Sequence, residues 1–66
     1  MNMKFEIGNE VNHPNYGVGI VMQAFSSASG VNELYEVFFV TVLRNHGIVR
    51  CLGSDLSLVE HEEVQA

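Results

Sequence analysis

Short runs rich in Val, Ile, Phe and Tyr, each closed by a cluster of Gly, Asn, Ser or Pro, recur along the chain, and apolar residues at helical spacing are nearly absent. That pattern predicts several short antiparallel strands and excludes a helical bundle. The first run, Glu10 to His13, stops at Pro14, which has no N–H to give a ladder, and Asn15-Tyr16-Gly17 supplies a turn. A second strand is expected from Val18 to about Phe25, followed by a loop at Ser26-Ser27-Ala28-Ser29-Gly30, whose small residues cannot pack. Leu34 to Leu43 reads as the longest strand, Arg44 to Gly47 as a turn with Gly47 suited to positive φ, and Ile48 to Leu52 as the return of a hairpin. Gly53 to Leu56 has the small polar residues of a single helical turn, with Ser54 or Asp55 able to cap it, and Leu58 to Glu60 closes the series. The tail, His61 to Ala66, is expected to fray.

A chain of 66 residues has room for one domain, which on folding buries only about 60% of the surface of its unfolded form. With 47% apolar and 17% charged residues it has enough apolar material to build a core. Five short strands with one long hairpin and a helical turn before the last strand predict an all-β fold, a small SH3-like (Tudor-like) barrel over residues 1–60, because closure removes exposed sheet edges. Strand alternation puts Tyr35, Val37, Phe39 and Thr41 on one face of the hairpin and Glu36, Phe38, Val40 and Val42 on the other. Glu36 and Arg50 seek water, so the core is expected to hold Val37 and Phe39 with Val11, Val21, Cys51, Leu56 and Leu58. Phe38, Val40 and Val42, with Ile20 or Met22 from the neighbouring strand, are then left as an outward apolar patch of the kind monomers seldom leave uncovered.

Composition narrows the chemistry. A net charge of −5 gives phosphates little to bind, so nucleic acid is the second choice of partner. Cys51 stands alone, which excludes an intrachain disulfide and a Cys-rich zinc site and fits a reducing, cytoplasmic setting. No apolar h-region follows Lys4, and the longest apolar run, Val37 to Leu43, is too short to span a bilayer. His13, His46 and His61 are too widely spaced for a local chelate, and His13 beside Pro14 is expected to bond to backbone in its turn. No metal and no cofactor are expected. Alternation buries Cys51, where a thiol is an inert packing group, and the carboxylates have no cleft to hold two of them at fixed separation, so no enzyme is expected. Glu60, Glu62 and Glu63 read as a solvated acidic tail, or as a steering patch for a basic partner. Tyr16, Tyr35 and Phe38 have the chemistry of an aromatic cage, and Tyr16, Tyr35 and Arg44 that of a single-stranded nucleic-acid site, the alternative reading.

One stretch carries a resemblance. Phe5, Gly8, Val11, His13-Pro14, Tyr16-Gly17, Gly19 and Val21 occur in the order and spacing that opens two related bacterial modules. These are the Tudor-like C-terminal domain of UvrD/PcrA-type helicases and the RNA-polymerase-interacting domain of CarD-like regulators and transcription-repair coupling factors. Tyr35 to Phe39, Gly47 to Leu52 and Ser54 to Val59 are similar to the later elements of the same modules, so most of the chain is covered. The resemblance implies an SH3-like barrel that binds proteins, RNA polymerase above all, through a strand edge or an apolar groove. Its residues have structural reasons to be there, so it speaks to fold more than to function. The expectation is a non-enzymatic protein-interaction module whose partner is RNA polymerase, a helicase or a second copy of the chain, with no membrane role.

Overall fold

The computed structural model of the chain describes residues 4–26 and 33–60. Five strands, β1 (Glu10–His13), β2 (Gly17–Ser26), β3 (Glu33–Phe39), β4 (Ile48–Leu52) and β5 (Ser57–Leu58), form one antiparallel sheet in the order β4-β3-β2-β1-β5. Consecutive strands up to β4 are sheet neighbours, and β5 returns to the free side of β1, with Val11 opposite Leu58 and Asn12 opposite Ser57. The sheet is not closed: β4 and β5 are its two edges.

The inner face holds Val11, Val21, Tyr35, Val37, Phe39 and Cys51, with Leu56 following a 3₁₀ turn at Gly53–Asp55 and Phe5 arriving from the N-terminal segment. Each such side chain stabilises the fold by about 1.5–3 kcal/mol when fully covered. Phe5 meets Tyr35 edge to face at 5.3 Å between ring centroids, and its backbone N–H donates to the Tyr35 hydroxyl at 3.1 Å. Tyr35 in turn donates a short hydrogen bond to the Glu33 carboxylate, which also accepts the Lys4 backbone N–H at 3.1 Å. Lys4 and Phe5 are thereby fixed against the end of the sheet.

Gly19 is required by contact. It lies opposite Phe39 in the β2–β3 ladder, and a Cβ there would sit 2.6 Å from both the Phe38 carbonyl oxygen and Phe39 Cδ1. The register of the same ladder slips between Val21 and Gln23, leaving Met22 as the extra residue of a bulge. Upstream of it, odd-numbered residues of β2 face inward; downstream, Ala24 opposes buried Tyr35 and Phe25 opposes Leu34 on the outer face.

Three sequence expectations are corrected. The long strand ends at Phe39 rather than Leu43: Val42 N–H turns back to the Phe39 carbonyl at 3.2 Å, and Thr41 Oγ1 donates to the Tyr16 carbonyl at 2.8 Å. A 3₁₀ turn at Arg44–Gly47 follows, in which Asn45, His46 and Gly47 all have left-handed φ, of 58°, 57° and 80°. The connection is therefore wide, and alternation stops before Val40. Leu58, expected in the core, is half-exposed, because β5 pairs for only two residues and Leu56 fills the interior in its place. Ser54 and Asp55 cap nothing: the residue preceding the second 3₁₀ turn is Leu52, and no side chain bonds to the turn's first N–H groups. Ser26 ends β2, while the rest of the predicted Ser/Gly loop and the tail from His61 lie outside the described residues.

Candidate functional site

The outer face of β2, β3 and β4 is built in three rows. Ile20, Phe38 and Ile48 form one, Gln23, Glu36 and Arg50 the second, and Phe25, Leu34 and Leu52 the third. In the first row all three side chains are half-buried, and Phe38 lies against Gly47, where a Cβ would come within 2.8 Å of its ring. Positive φ and this close ring are two separate reasons for glycine at 47. The middle row is polar: Arg50 Nε donates to Glu36 Oε2 at 3.1 Å, and the Arg50 guanidinium lies 5.9 Å from the centroid of the Phe25 ring. The third row is open. Phe25, Leu34 and Leu52 are 43%, 38% and 42% exposed, and Phe25, Leu34 and Arg50 line a shallow cavity of about 270 Å³.

The predicted patch is distributed differently. Val40 is 75% exposed but stands beyond the end of β3, Val42 packs against the core, and Ile20 and Phe38 are half-buried. Met22 is exposed at the bulge. Alternation places Phe38, Val40 and Val42 side by side only if the strand runs past Phe39, and it does not. The exposed apolar row is Phe25, Leu34 and Leu52. Sequence reasoning missed Phe25 because uninterrupted alternation from Val21 directs it inward, whereas Leu34 and Leu52 were legible as neighbours of the inward Tyr35 and Cys51.

β4 borders this face and is also an edge of the sheet, so among the described residues the side of β4 away from β3 has no strand partner. Two clefts adjoin it. One, of about 390 Å³, lies between β4 and the β1–β2 corner, with His13, Tyr16, Cys51 and Asp55 among its lining residues. The other, of about 620 Å³, is lined by Glu36, Val42 and Arg44 together with Ile48, Val49 and Arg50.

The remaining candidates fall in the core or its margin. Tyr35, expected at a nucleic-acid site, is 0% exposed, so neither ring face can meet a base; strand alternation had already put it beside Val37 and Phe39. Tyr16 is half-buried, its ring centroid 4.7 Å from His13 and 5.1 Å from Phe39, while Arg44 is exposed on the β3–β4 connection. The three residues of the nucleic-acid reading are thus not gathered on one accessible surface, and Tyr35 and Phe38 supply no open cage wall. His13 behaves as its turn requires: the Nδ1 atom accepts the Asn15 backbone N–H at 3.0 Å. Burial first, and then the negative charge of Asp55, push the Cys51 thiol above its ordinary range, away from the thiolate that nucleophilic chemistry needs. Among the described residues no three His, Cys, Asp or Glu side chains gather to hold a metal ion, and no helix is long and apolar enough to cross a membrane. What the arrangement offers is an open strand edge beside exposed apolar side chains and two arginines. No protein-family model and no curated protein sequence matches this chain.

Proposed function

We propose that this chain is a non-enzymatic protein-interaction module that takes an extended segment of its partner along β4. The single observation that carries the reading is the coincidence, at one strand, of a sheet edge unpaired among the described residues with the exposed row Phe25, Leu34 and Leu52. An open edge lends backbone hydrogen bonds to a visiting strand, and side chains beside it select which strand. The strand order, with β5 turned back onto β1, supports the SH3-like class with the seam between β4 and β5 left open. The resemblance of the Phe5–Val21 stretch to bacterial helicase and CarD-like modules supplies the partner class, RNA polymerase or a helicase, in a cytoplasmic setting. Phe38, half-buried under its neighbours, contributes to the shape of this face, and Leu52 and Phe25 contribute contact area.

The test is co-elution of the chain with purified bacterial RNA polymerase core enzyme and, separately, with a UvrD/PcrA-type helicase. A complex with either that is lost on Leu52→Asp, in a variant that keeps the wild-type circular dichroism and melting temperature, is the expected result. Leu52 is the residue to change because it is 42% exposed, so a carboxylate there is solvated and the fold survives. No complex with either protein overturns the partner class; a complex indifferent to Leu52→Asp overturns the docking surface.

A further inference from the structure

The acidic character of the chain is interrupted at one place. Of its three Lys and Arg side chains, Lys4 is occupied at the end of the sheet, where Nζ donates to the Gly53 carbonyl at 3.3 Å. The other two, Arg44 and Arg50, line the same cleft of about 620 Å³ beside β4. Among the described residues the Arg44 guanidinium has no hydrogen-bond or ion-pair partner, and Arg50 uses only Nε, on Glu36, leaving both of its Nη groups free to donate. Among the described residues Glu36 is the one carboxylate on this wall, so two guanidinium charges face one negative charge; Val42, Ile48 and Val49 supply apolar lining, and the Asn45 amide completes the wall. A pocket with spare guanidinium donors above an apolar floor suits a carboxylate carried on an apolar segment, since the planar fork of Arg matches the two oxygens of a carboxylate.

From this we infer that the segment received along β4 is acidic: it directs an Asp or Glu side chain between Arg44 and Arg50 and lays apolar neighbours on Ile48 and Val49. The inference rests on the reading of β4 as the docking edge and adds the chemistry of what docks there. A protein carboxylate fits better than a nucleic-acid phosphate for two reasons. A chain with net charge −5 repels a polyanion as a whole while two local cations still hold a single carboxylate, and of the tyrosines that bases would stack on, Tyr16 is packed against His13 and Phe39 and Tyr35 is buried. Arg50 is also positioned in advance, between the Glu36 carboxylate and the Phe25 ring, so less side-chain freedom is lost when a ligand arrives.

The test is selection from a random linear peptide library on the immobilised chain, followed by fluorescence anisotropy with the selected peptides. Enriched sequences are expected to be net acidic with apolar residues beside the carboxylates. Arg44→Ala and Arg50→Ala should each weaken binding about 5- to 20-fold, and replacing the peptide's Glu by Gln should make the chain indifferent to whether Arg44 is present. Arg44, exposed and unpaired, can be removed without touching the fold, which an unchanged melting temperature checks. Neutral or basic winners, or acidic peptides that bind both variants as well as wild type, overturn the inference. If such peptides still lose affinity on Leu52→Asp, the docking edge stands without its carboxylate preference; if no peptide is selected, both readings fail. Binding of a dT oligonucleotide that disappears on Arg44→Ala would assign the two arginines to nucleic acid instead.

Discussion

A methyl group added at Gly19 would have to share space with the Phe38 carbonyl oxygen and the Phe39 ring at 2.6 Å, and neither can retreat, one being backbone in a ladder and the other the centre of the core. Gly19→Ala should therefore cost about 1–3 kcal/mol of unfolding free energy, read from urea denaturation. Tyr35 makes a second prediction. Burial, reinforced by its bond to Glu33, raises its hydroxyl above the ordinary value of 10.0. Below that value both folded and unfolded chains keep the phenol protonated and its contribution is whole; as pH rises through 10.0 the unfolded chain ionises first, so stability falls until the folded hydroxyl titrates as well. Tyr35→Phe should lose about 1–2 kcal/mol at neutral pH, by leaving the Phe5 N–H without its acceptor and Glu33 with the Lys4 backbone N–H in place of two donors, and should show a shallower alkaline decline. The inward place of Tyr35 was readable from alternation. Its hydroxyl partners were not, because Phe5 and Glu33 are distant from each other in sequence and meet only through the fold.

The connection between β3 and β4 is where local sequence and structure disagree most. Gly47 announces a left-handed residue, and the structure adds two more, Asn45 and His46, of which only Asn tolerates that region comfortably. His46→Gly should stabilise the chain by about 0.5–1 kcal/mol, visible as a higher denaturant midpoint with an unchanged slope, since it replaces an exposed side chain held at left-handed φ with the residue that adopts that region freely. β4 itself was legible from its first residue to its last, because Ile48 to Leu52 is bounded by Gly on both sides. The end of β3 was not: Val40, Thr41 and Val42 are all good strand formers, and what stops the strand is the hydrogen bond of Thr41 to Tyr16, a contact across the sheet that no local propensity reports. The predicted patch failed for that reason, and the exposed row at the opposite end of β3 took its place.

At the scale of the whole molecule, charge opposes the self-association that an open strand edge invites. Antiparallel pairing of two β4 edges about their centre would bring Arg50 toward its own copy, and each chain carries a net charge of −5. Light scattering on a size-exclusion column should return the monomer mass of 7.3 kDa at low salt; a species of twice that mass that strengthens at low ionic strength would contradict it. The strand order was legible as far as the meander, since short turns make sequential strands neighbours, and the return of β5 to β1 follows from the helical turn that carries the chain across the open end. Closure was not legible, because it depends on how far a sheet of this length curls, which is decided by accumulated twist rather than by any residue.

Met22 gives the outer face its identity by a matter of counting. Were that one residue taken into the ladder as an ordinary pair, every side chain after it in β2 would change sides: Gln23 and Phe25 would swing toward the interior, Ala24 toward water, and the aromatic platform under Arg50 would vanish. Deleting Met22 should accordingly keep Gln23 opposite Glu36 and Phe25 opposite Leu34 and so preserve partner binding, read by the same co-elution, as should Met22→Leu. A lineage can therefore lose this single codon and keep what the sheet displays, because the bulge holds the surplus letter outside the ladder.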